Sequence, residues 1–283
     1  MKKTLILISI VALGAIAYGV LESCNGGGTK PIVPPQPAPL NLSVYLDLSN
    51  RLVRPGTPDQ TKRDLAIVDT LVGHFCAVTR GPQILKSRNR MKVFFYPAPA
   101  SPGLMKQVRN LNVDIGKLPP GERIKALNAM HGTFRNSLAQ IYRQTVAAQR
   151  WIGCDIWDFF SSKKVDAQCV QKGSRNVLVI VTDGYLYAIN NKVQTPQGTN
   201  YIQPQTLKAG TPLINGRNGA SLSSLEVLVL EVNPFFPAQQ TPLLHTIENW
   251  LKAMGVKHYY VAETDANITN TEEIIEKFLG NEL

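Results

Sequence analysis

The chain has 283 residues, of which 44% are hydrophobic and 18% are charged, so it can bury a core and is not disordered throughout. Its 30 basic and 20 acidic side chains give a formal charge of +10, which suits acidic partners without identifying one. Four cysteines are too few for a fold built on disulfides, and the apolar segments do not predict several membrane spans.

The first 23 residues are typical of a secretory signal peptide. Two lysines follow Met1, and residues 5–21 are uncharged and mostly apolar. The sequence Leu21-Glu22-Ser23-Cys24 then resembles the cleavage motif of bacterial lipoproteins, although Glu22 stands where a small or apolar residue is usual. The resemblance implies that Cys24 is lipidated and becomes the mature N-terminus. The alternative is an uncleaved anchor helix, and both interpretations place the remainder outside the cytoplasm, in the cell envelope.

A tether is predicted for residues 24–40, which carry five prolines and three glycines. Proline-rich segments favour the extended polyproline II conformation and act as semi-rigid spacers. Such a segment would hold the rest of the chain off the membrane surface. The alternative is a frayed terminus without a role.

Residues 41–283 alternate short apolar segments with helical patterns, taken here in chain order. The pattern predicts strands at 42–46, 91–96, 176–182, 225–232 and 258–262, and helices at 59–79, 133–160, 241–254 and 271–279. The segment 176–182 is apolar almost throughout, as in strands that are buried on both faces. The alternation predicts one α/β domain with a doubly wound, mainly parallel central sheet and helices on both faces.

Acidic residues follow two of the predicted strands, Asp47 after the first and Asp183 after the central one. Ligand sites of such sheets lie beyond the carboxyl ends of the strands. Two carboxylates at one edge suit a hard divalent ion, Mg²⁺ or alternatively Mn²⁺ or Ca²⁺. Hydroxyls of Ser49 and of Thr133, which is predicted to open the helix at 133–160, would add neutral oxygen ligands.

This pattern resembles the von Willebrand factor A (VWA) family, whose motif is Asp-x-Ser-x-Ser, a later Thr, and an Asp that Gly usually follows. The matching residues here are Asp47, Ser49, Thr133 and Asp183. The resemblance implies a metal-ion-dependent adhesion site, in which a carboxylate of the partner completes the coordination of the metal. Arg51 replaces the second Ser, and a guanidinium cannot ligate a metal. The alternative is therefore an inert site in which Arg51 pairs with the acids and replaces the cation.

Three further features carry weaker predictions. Residues 184–224 form a long polar insertion beside the predicted site, and long loops of this kind are often functional, although a variable surface hairpin is the alternative. Cys154 and Cys169 suit a disulfide in an oxidising compartment, whereas Cys76 is predicted to be a buried free thiol. The basic segment from Lys86 to Lys92 lacks the interleaved aromatics that favour nucleic-acid binding, so we expect a solvated loop or one that faces anionic lipid or lipopolysaccharide phosphates.

These observations favour a membrane-anchored envelope lipoprotein with a non-enzymatic module that binds a protein or surface partner, with a divalent metal as the bridge. One alternative is a metal-dependent hydrolase of phosphate esters or envelope polymers. No general base is evident beside the two acids, and the phosphate-loop, dinucleotide and nucleophile-elbow motifs are absent from the sequence. Another alternative is an assembly subunit that has an inert metal site and binds through its long insertion.

Overall fold

The computed structural model describes residues 37–81, 84–99, 101–149, 151, 153–185 and 222–283. The predicted signal peptide, Cys24 and most of the predicted tether lie outside these residues, as do residues 186–221 of the predicted insertion. Among the described residues, no helix combines the length and the apolar character that a membrane span requires.

The described part of the chain contains a six-stranded sheet that confirms the predicted fold class. Its strand order is β3-β2-β1-β4-β5-β6, and every neighbouring pair is parallel except β2 and β3. All five predicted strands are present, and their bounds differ from the prediction by two residues at most. The strands are β1 (Leu40–Leu46), β2 (Arg90–Phe94), β3 (Asn112–Asp114), β4 (Arg175–Val181), β5 (Leu225–Val232) and β6 (His258–Glu263).

Helices cover both faces of this sheet and complete a three-layer α/β sandwich. Leu42 and Val44 of β1 lie in a core with three of the helices, α1, α3 and α7, whereas Tyr45 lies in the core of the opposite face with α4, α5 and α6. This division follows from the alternation of side chains along a strand. The described helices are α1 (Gln60–Thr79), α2 (Pro102–Asn110), α3 (Pro120–Ala148), α4 (Ile156–Ser161), α5 (Lys164–Cys169), α6 (Gln240–Ala253) and α7 (Ile268–Leu279).

The helix predicted at 133–160 is wrong at both ends. Helix α3 begins thirteen residues earlier, at Pro120, because proline suits the first turn of a helix. Gly132 does not break the helix. It is exposed in the interior of α3, and the roughly 1 kcal/mol that glycine costs there is small beside the packing of a 29-residue helix. The helix ends where Gln149 adopts a left-handed conformation, with φ of 48°, and the chain starts a separate helix, α4, at Ile156.

The strand order places β1 and β4 side by side at the centre of the sheet, with the following strands leaving to opposite sides. This reversal of direction opens a crevice at the carboxyl ends of β1 and β4, where open α/β sheets bind their ligands. Asp47 follows β1 directly, and its amide bonds to the Val181 carbonyl at 3.1 Å. Thr182 and Asp183 follow β4 at the same edge.

The first prediction concerns Gly184, which follows Asp183 beyond the carboxyl end of β4. Its φ is +99°, and a Cβ there would lie 2.7 Å from Leu243 Cδ2 and 2.9 Å from Val232 Cγ1. We expect Gly184→Ala to lower the free energy of unfolding by about 1–3 kcal/mol, because it combines backbone strain with a clash in the core. Gly173→Ala is the matched control, since Gly173 has a φ of +76° and nothing within 4 Å of the added Cβ. Equal losses in urea unfolding for the two variants would contradict the clash.

Candidate functional site

Asp47 ties the ends of the two central strands together. Its side chain is buried, and Oδ1 accepts a hydrogen bond from the Ser49 amide at 2.7 Å. Oδ2 accepts a hydrogen bond from the Thr182 hydroxyl at 3.0 Å. The carboxylate therefore shapes the loop after β1 and holds that loop against the end of β4, so both of its oxygens are engaged within the chain.

Arg51 lies inside this site rather than on its surface. It belongs to a 3-10 turn at Asn50–Val53 and is only 4% exposed. Its Nη1 and Nη2 donate to the two carboxylate oxygens of Asp64 at 3.3 and 2.5 Å, while its Nε lies 3.7 Å from Asp47 Oδ2. Burial alone would lower the pKa of Arg51, but the carboxylates of Asp64 and Asp47 raise it, so the guanidinium stays charged. A fixed internal cation thus sits beside the first acid of the site.

Asp64 is the acid that sequence reasoning missed. It is fully buried on α1 and also accepts a hydrogen bond from the Tyr142 hydroxyl at 2.5 Å. Burial raises the pKa of Asp64 above its ordinary value, although Arg51 and Tyr142 act to lower it. A signal was present in the sequence, because Asp64 stands four residues before Val68 and seven before Leu71 on the apolar face of the helix. A carboxylate at such a position needs a partner cation.

A second buried ion pair adjoins the first. Arg63, the neighbour of Asp64, donates from Nε and Nη2 to the carboxylate of Glu231 at 2.7 and 2.8 Å. Glu231 adopts a left-handed φ of 67° where the register between β5 and β6 shifts. Arg63 also donates to the Thr271 hydroxyl at 3.1 Å. Two consecutive residues of α1 therefore fasten that helix to the loop after β1, to β5 and to α7.

Asp183 has a different environment from Asp47. One of its oxygens accepts a hydrogen bond from the Tyr185 amide at 3.2 Å, and no ion pair to it is present among the described residues. Burial, followed by repulsion from Asp47, raises the pKa of Asp183 to about 7, although Arg51 and Arg54 act in the opposite direction. Asp183 therefore titrates near neutral pH, and the described residues balance its charge less than that of the other acids of the site.

A cleft of about 480 Å³ opens beside Asp183. Arg54 forms part of its wall, where it donates to the carbonyls of Asn233 and Pro234 and lies over the ring of Phe235. The cleft combines one acid, two guanidinium groups and three aromatic rings. Its described lining consists of Asn50, Arg51, Val53, Arg54, Pro55, Gln149, Trp151, Asp183, Tyr185 and Phe235.

The structure brings together three of the four predicted metal ligands. Asp47, Ser49 and Asp183 lie at the same edge of the sheet, whereas Thr133 does not open a helix and is exposed in the interior of α3. It precedes Tyr142, the residue of α3 that reaches the site, by nine positions, or about 13 Å along the helix axis. The Thr133 assignment relied on the wrong helix boundary.

Arg51 makes the predicted metal ion a poor fit to the residues present. Both Asp47 oxygens accept hydrogen bonds, the Ser49 hydroxyl accepts from the Arg51 amide at 3.4 Å, and the Arg51 guanidinium already lies beside Asp47. Among the residues that the structure describes, no group of three or more His, Cys, Asp and Glu side chains is placed to hold a metal. Arg51 supplies positive charge where the resemblance implied Mg²⁺, Mn²⁺ or Ca²⁺.

The structure does not contain the predicted disulfide between Cys154 and Cys169. Both are free, buried thiols, and they lie against different residues of β1, Cys154 beside Tyr45 and Cys169 beside Ser43. Alternate residues of a strand are about 6.6 Å apart, so the two thiols occupy separate positions under the sheet. Cys76 is a buried free thiol, as predicted.

Comparison with known proteins finds one distant structural similarity. No protein-family model matches the chain, and no match was found among curated proteins. Among solved structures, the chain is similar to the conserved hypothetical protein BatB from Bacteroides thetaiotaomicron, with 12% sequence identity and a TM-score of 0.42. The similarity covers 86% of this chain and 98% of that one. At this level it supports no argument about the site.

The Arg51 network generates the second prediction. We expect Arg51→Ala to lower the free energy of unfolding by about 3–5 kcal/mol, because it leaves the Asp64 carboxylate buried without a cation. Arg54→Ala is the control, with an expected loss of about 1 kcal/mol, since Arg54 is only half-buried and bonds to carbonyls. Adding Asp64→Asn to Arg51→Ala should recover part of the loss. A loss for Arg51→Ala no larger than for Arg54→Ala would contradict the assigned role.

The raised pKa of Asp183 generates the third prediction. The folded pKa is about 7, and the value for an unfolded Asp is about 3.9, so the folded state binds the extra proton between them. Stability from this group is therefore complete below about pH 4 and is lost as the pH rises through about 7. We expect Asp183→Asn to become progressively more stable than wild type between about pH 5 and 8, as measured by urea unfolding.

Asp265→Asn is the control for this series. Hydrogen bonds lower the pKa of Asp265, so its titration falls below this pH range and its difference from wild type should stay constant across it. Parallel stability curves for wild type and Asp183→Asn would show that Asp183 titrates normally.

Proposed function

We propose that the chain is a non-enzymatic binding module of the bacterial cell envelope, a VWA-like domain that holds a protein or envelope partner in the cleft beside Asp183. The observation that carries this proposal is the position of the cleft at the carboxyl ends of β1 and β4, next to a partly buried acid whose charge is poorly balanced. A hydrogen-bond donor or cation from the partner would stabilise the ionised form of Asp183.

The VWA-like part of the proposal is supported by the residues at the strand ends. Asp47 and Ser49 after β1, and Asp183 followed by Gly184 after β4, match the family pattern in order and in place along the chain. The fold class agrees with that family. The departure at Arg51 makes this version of the site independent of a bridging metal, since the guanidinium provides the positive charge from within.

The lining of the cleft favours binding. Trp151, Tyr185 and Phe235 provide large aromatic surface with little conformational freedom to lose, a common property of binding sites. The Tyr185 hydroxyl donates to Gln239 at 2.6 Å and accepts from the Phe235 amide at 2.8 Å, so the Tyr185 ring and the Phe235 backbone are tied together. A preorganised aromatic wall lowers the entropic cost of binding.

One observation favours a hydrolase as the second candidate. A carboxyl group with a pKa near 7 suits a general base, and Asp183 lies at the wall of a cleft. Among the described residues that line the cleft, however, none is a serine, cysteine, histidine or lysine that would act as its nucleophile or second proton carrier. Binding is therefore the function that this geometry supports better.

The envelope location is proposed from the sequence alone. The lipoprotein-type motif would attach a lipid to Cys24, and the proline-rich segment would connect that anchor to β1. The predicted insertion, which leaves the sheet directly after Asp183, would extend the binding surface at the same edge.

The fourth prediction tests the cleft in the native organism. A photoreactive amino acid in place of Phe235, which is 54% exposed, should cross-link to a defined partner. The adduct should persist in the presence of a chelator and should disappear with Asp183→Ala. The same substitution at Val78, which is 49% exposed on α1 and lies outside the cleft, is the control and should not give that adduct.

Three results would contradict the proposal in different ways. An adduct that requires a divalent ion would restore the metal-bridged version of the site. An equal adduct from Val78 would show non-specific contact. Turnover of simple esters that Asp183→Asn abolishes, without a cross-linked partner, would favour the hydrolase.

A further inference from the structure

The end of the sheet opposite the cleft has a surface of its own, at the point where the chain enters the fold. Strand β1 begins at Leu40, whose amide donates to the Asn89 side chain at 2.9 Å. Asn89 belongs to the loop that precedes β2, and this loop is therefore fixed beside the segment that leads to the predicted anchor. Seven residues of β1 separate this end from the cleft, on the order of 20 Å.

Arg123 fastens the start of α3 to the same loop. It is buried, and its Nη1 donates to the carbonyls of Ile84 and Leu85 at 2.9 and 2.6 Å. Its Nε donates to the Leu118 carbonyl at 3.1 Å. Hydrogen bonds from this one side chain thus join the loop before β2, the turn after β3 and the first turns of α3.

Two large apolar side chains are exposed on this surface. Leu85, in the loop, is 62% exposed, and Ile124, next to Arg123 on α3, is 59% exposed. These are the two highest exposures among the large hydrophobic residues that the structure describes. Isolated exposed residues need no explanation, but Arg123 links these two, because it donates to the Leu85 carbonyl and directly precedes Ile124; we call the pair the apolar tip.

Basic side chains surround the tip. Lys86 and Arg88 are exposed in the loop, Lys117 lies in the turn after β3, and Lys125 follows Ile124. The turn is held against the loop, since the Ile115 amide donates to the Asn89 carbonyl at 3.0 Å. We call Leu85, Lys86, Arg88, Lys117, Ile124 and Lys125 the basic–apolar patch. Asp114 and Glu122 are the nearby acids, and Asp114 Oδ2 lies 3.7 Å from Lys117 Nζ, so four positive charges stand against two negative ones and positive charge remains in excess.

We propose that the basic–apolar patch docks the domain on an anionic phospholipid membrane, with Leu85 and Ile124 in the headgroup region and the four basic side chains facing lipid phosphates. An apolar tip with a basic rim is the arrangement by which proteins bind the surface of anionic bilayers. The position of Leu40 supports this occupant over others, because the residues that precede it in the sequence lead to the lipid anchor of the proposed function, on which this inference rests.

Docking would set the orientation of the whole domain. With the amino ends of the parallel strands at the membrane, the cleft at their carboxyl ends would face away from the bilayer. The proline-rich tether would then connect a docked domain rather than hold it off the surface.

The test uses the full chain mixed with lipid vesicles, and it measures the acetylation rate of individual lysines by mass spectrometry. With vesicles that contain phosphatidylglycerol, we expect acetylation of Lys86, Lys117 and Lys125 to slow several-fold, and we expect high salt to reverse the effect. With phosphatidylcholine alone, the rates should not change. Lys62, whose side chain is 83% exposed at the start of α1, is the internal control and should react equally in both.

Charge reversal provides the second arm. Lys86→Glu combined with Lys125→Glu changes only exposed side chains and should abolish the protection of Lys117, whereas Lys62→Glu should not. Unprotected patch lysines, or equal protection by both kinds of vesicle, would overturn the proposal. Stronger protection by RNA or DNA than by vesicles would assign the patch to nucleic acid and would also overturn it.

Flotation of the same samples separates this inference from the proposed anchor. If the chain floats with both kinds of vesicle while its patch lysines stay reactive, the proposed anchor is supported and the proposed docking is contradicted. If the chain floats only with phosphatidylglycerol vesicles and its patch lysines are protected, the proposed docking is supported and the proposed anchor is contradicted.

Discussion

The carboxyl edge of the sheet depends on the ion pair between Arg51 and Asp64. A buried carboxylate is strongly unfavourable without a cation, and a buried guanidinium is unfavourable without acids, so the two side chains fix each other's position. Because Arg51 is held by Asp64, only its Nε approaches Asp47, and its charge is shared between two acids. The third acid, Asp183, is therefore left with little compensation, and burial, followed by repulsion from Asp47, raises its pKa.

Helix α1 carries this electrostatic arrangement into the rest of the fold. Asp64 and Arg63 are consecutive, yet each pairs with a residue of opposite charge in a different element. Glu231 contacts Arg63 from a left-handed backbone conformation in β5. A residue other than glycine keeps this conformation only where the surrounding structure holds it there. The two hydrogen bonds from Arg63 help to hold Glu231 in place. The two ion pairs thus align α1 with both β1 and β5 while apolar packing fills the space between.

The strands and the edge that carries the site could be predicted, because both depend on local patterns. Apolar segments locate the strands, and the acid after each strand locates the edge. The length of α3 could not be predicted from such signals. In the sequence Gly132 indicates the end of a helix, but in the fold the packing of α3 outweighs the low helix propensity of glycine. Thr133 was misplaced for that reason. The partner of Arg51 lies thirteen residues along the chain on another element, and the alternate positions of Cys154 and Cys169 under β1 likewise depend on the folded topology.

The two ends of the sheet differ in charge, and this difference joins the two proposals. At the carboxyl end Asp47, Asp64 and Asp183 are largely balanced by Arg51 and Arg54, whereas the amino end exposes Lys86, Arg88, Lys117 and Lys125. The carboxyl ends of parallel strands lie at one edge of a sheet and their amino ends lie at the other. The cleft and the basic–apolar patch are therefore separated by the length of a strand. An anionic surface would therefore attract the amino end more strongly than the carboxyl end. The same charge separation that orients the domain would therefore keep its cleft open to a partner.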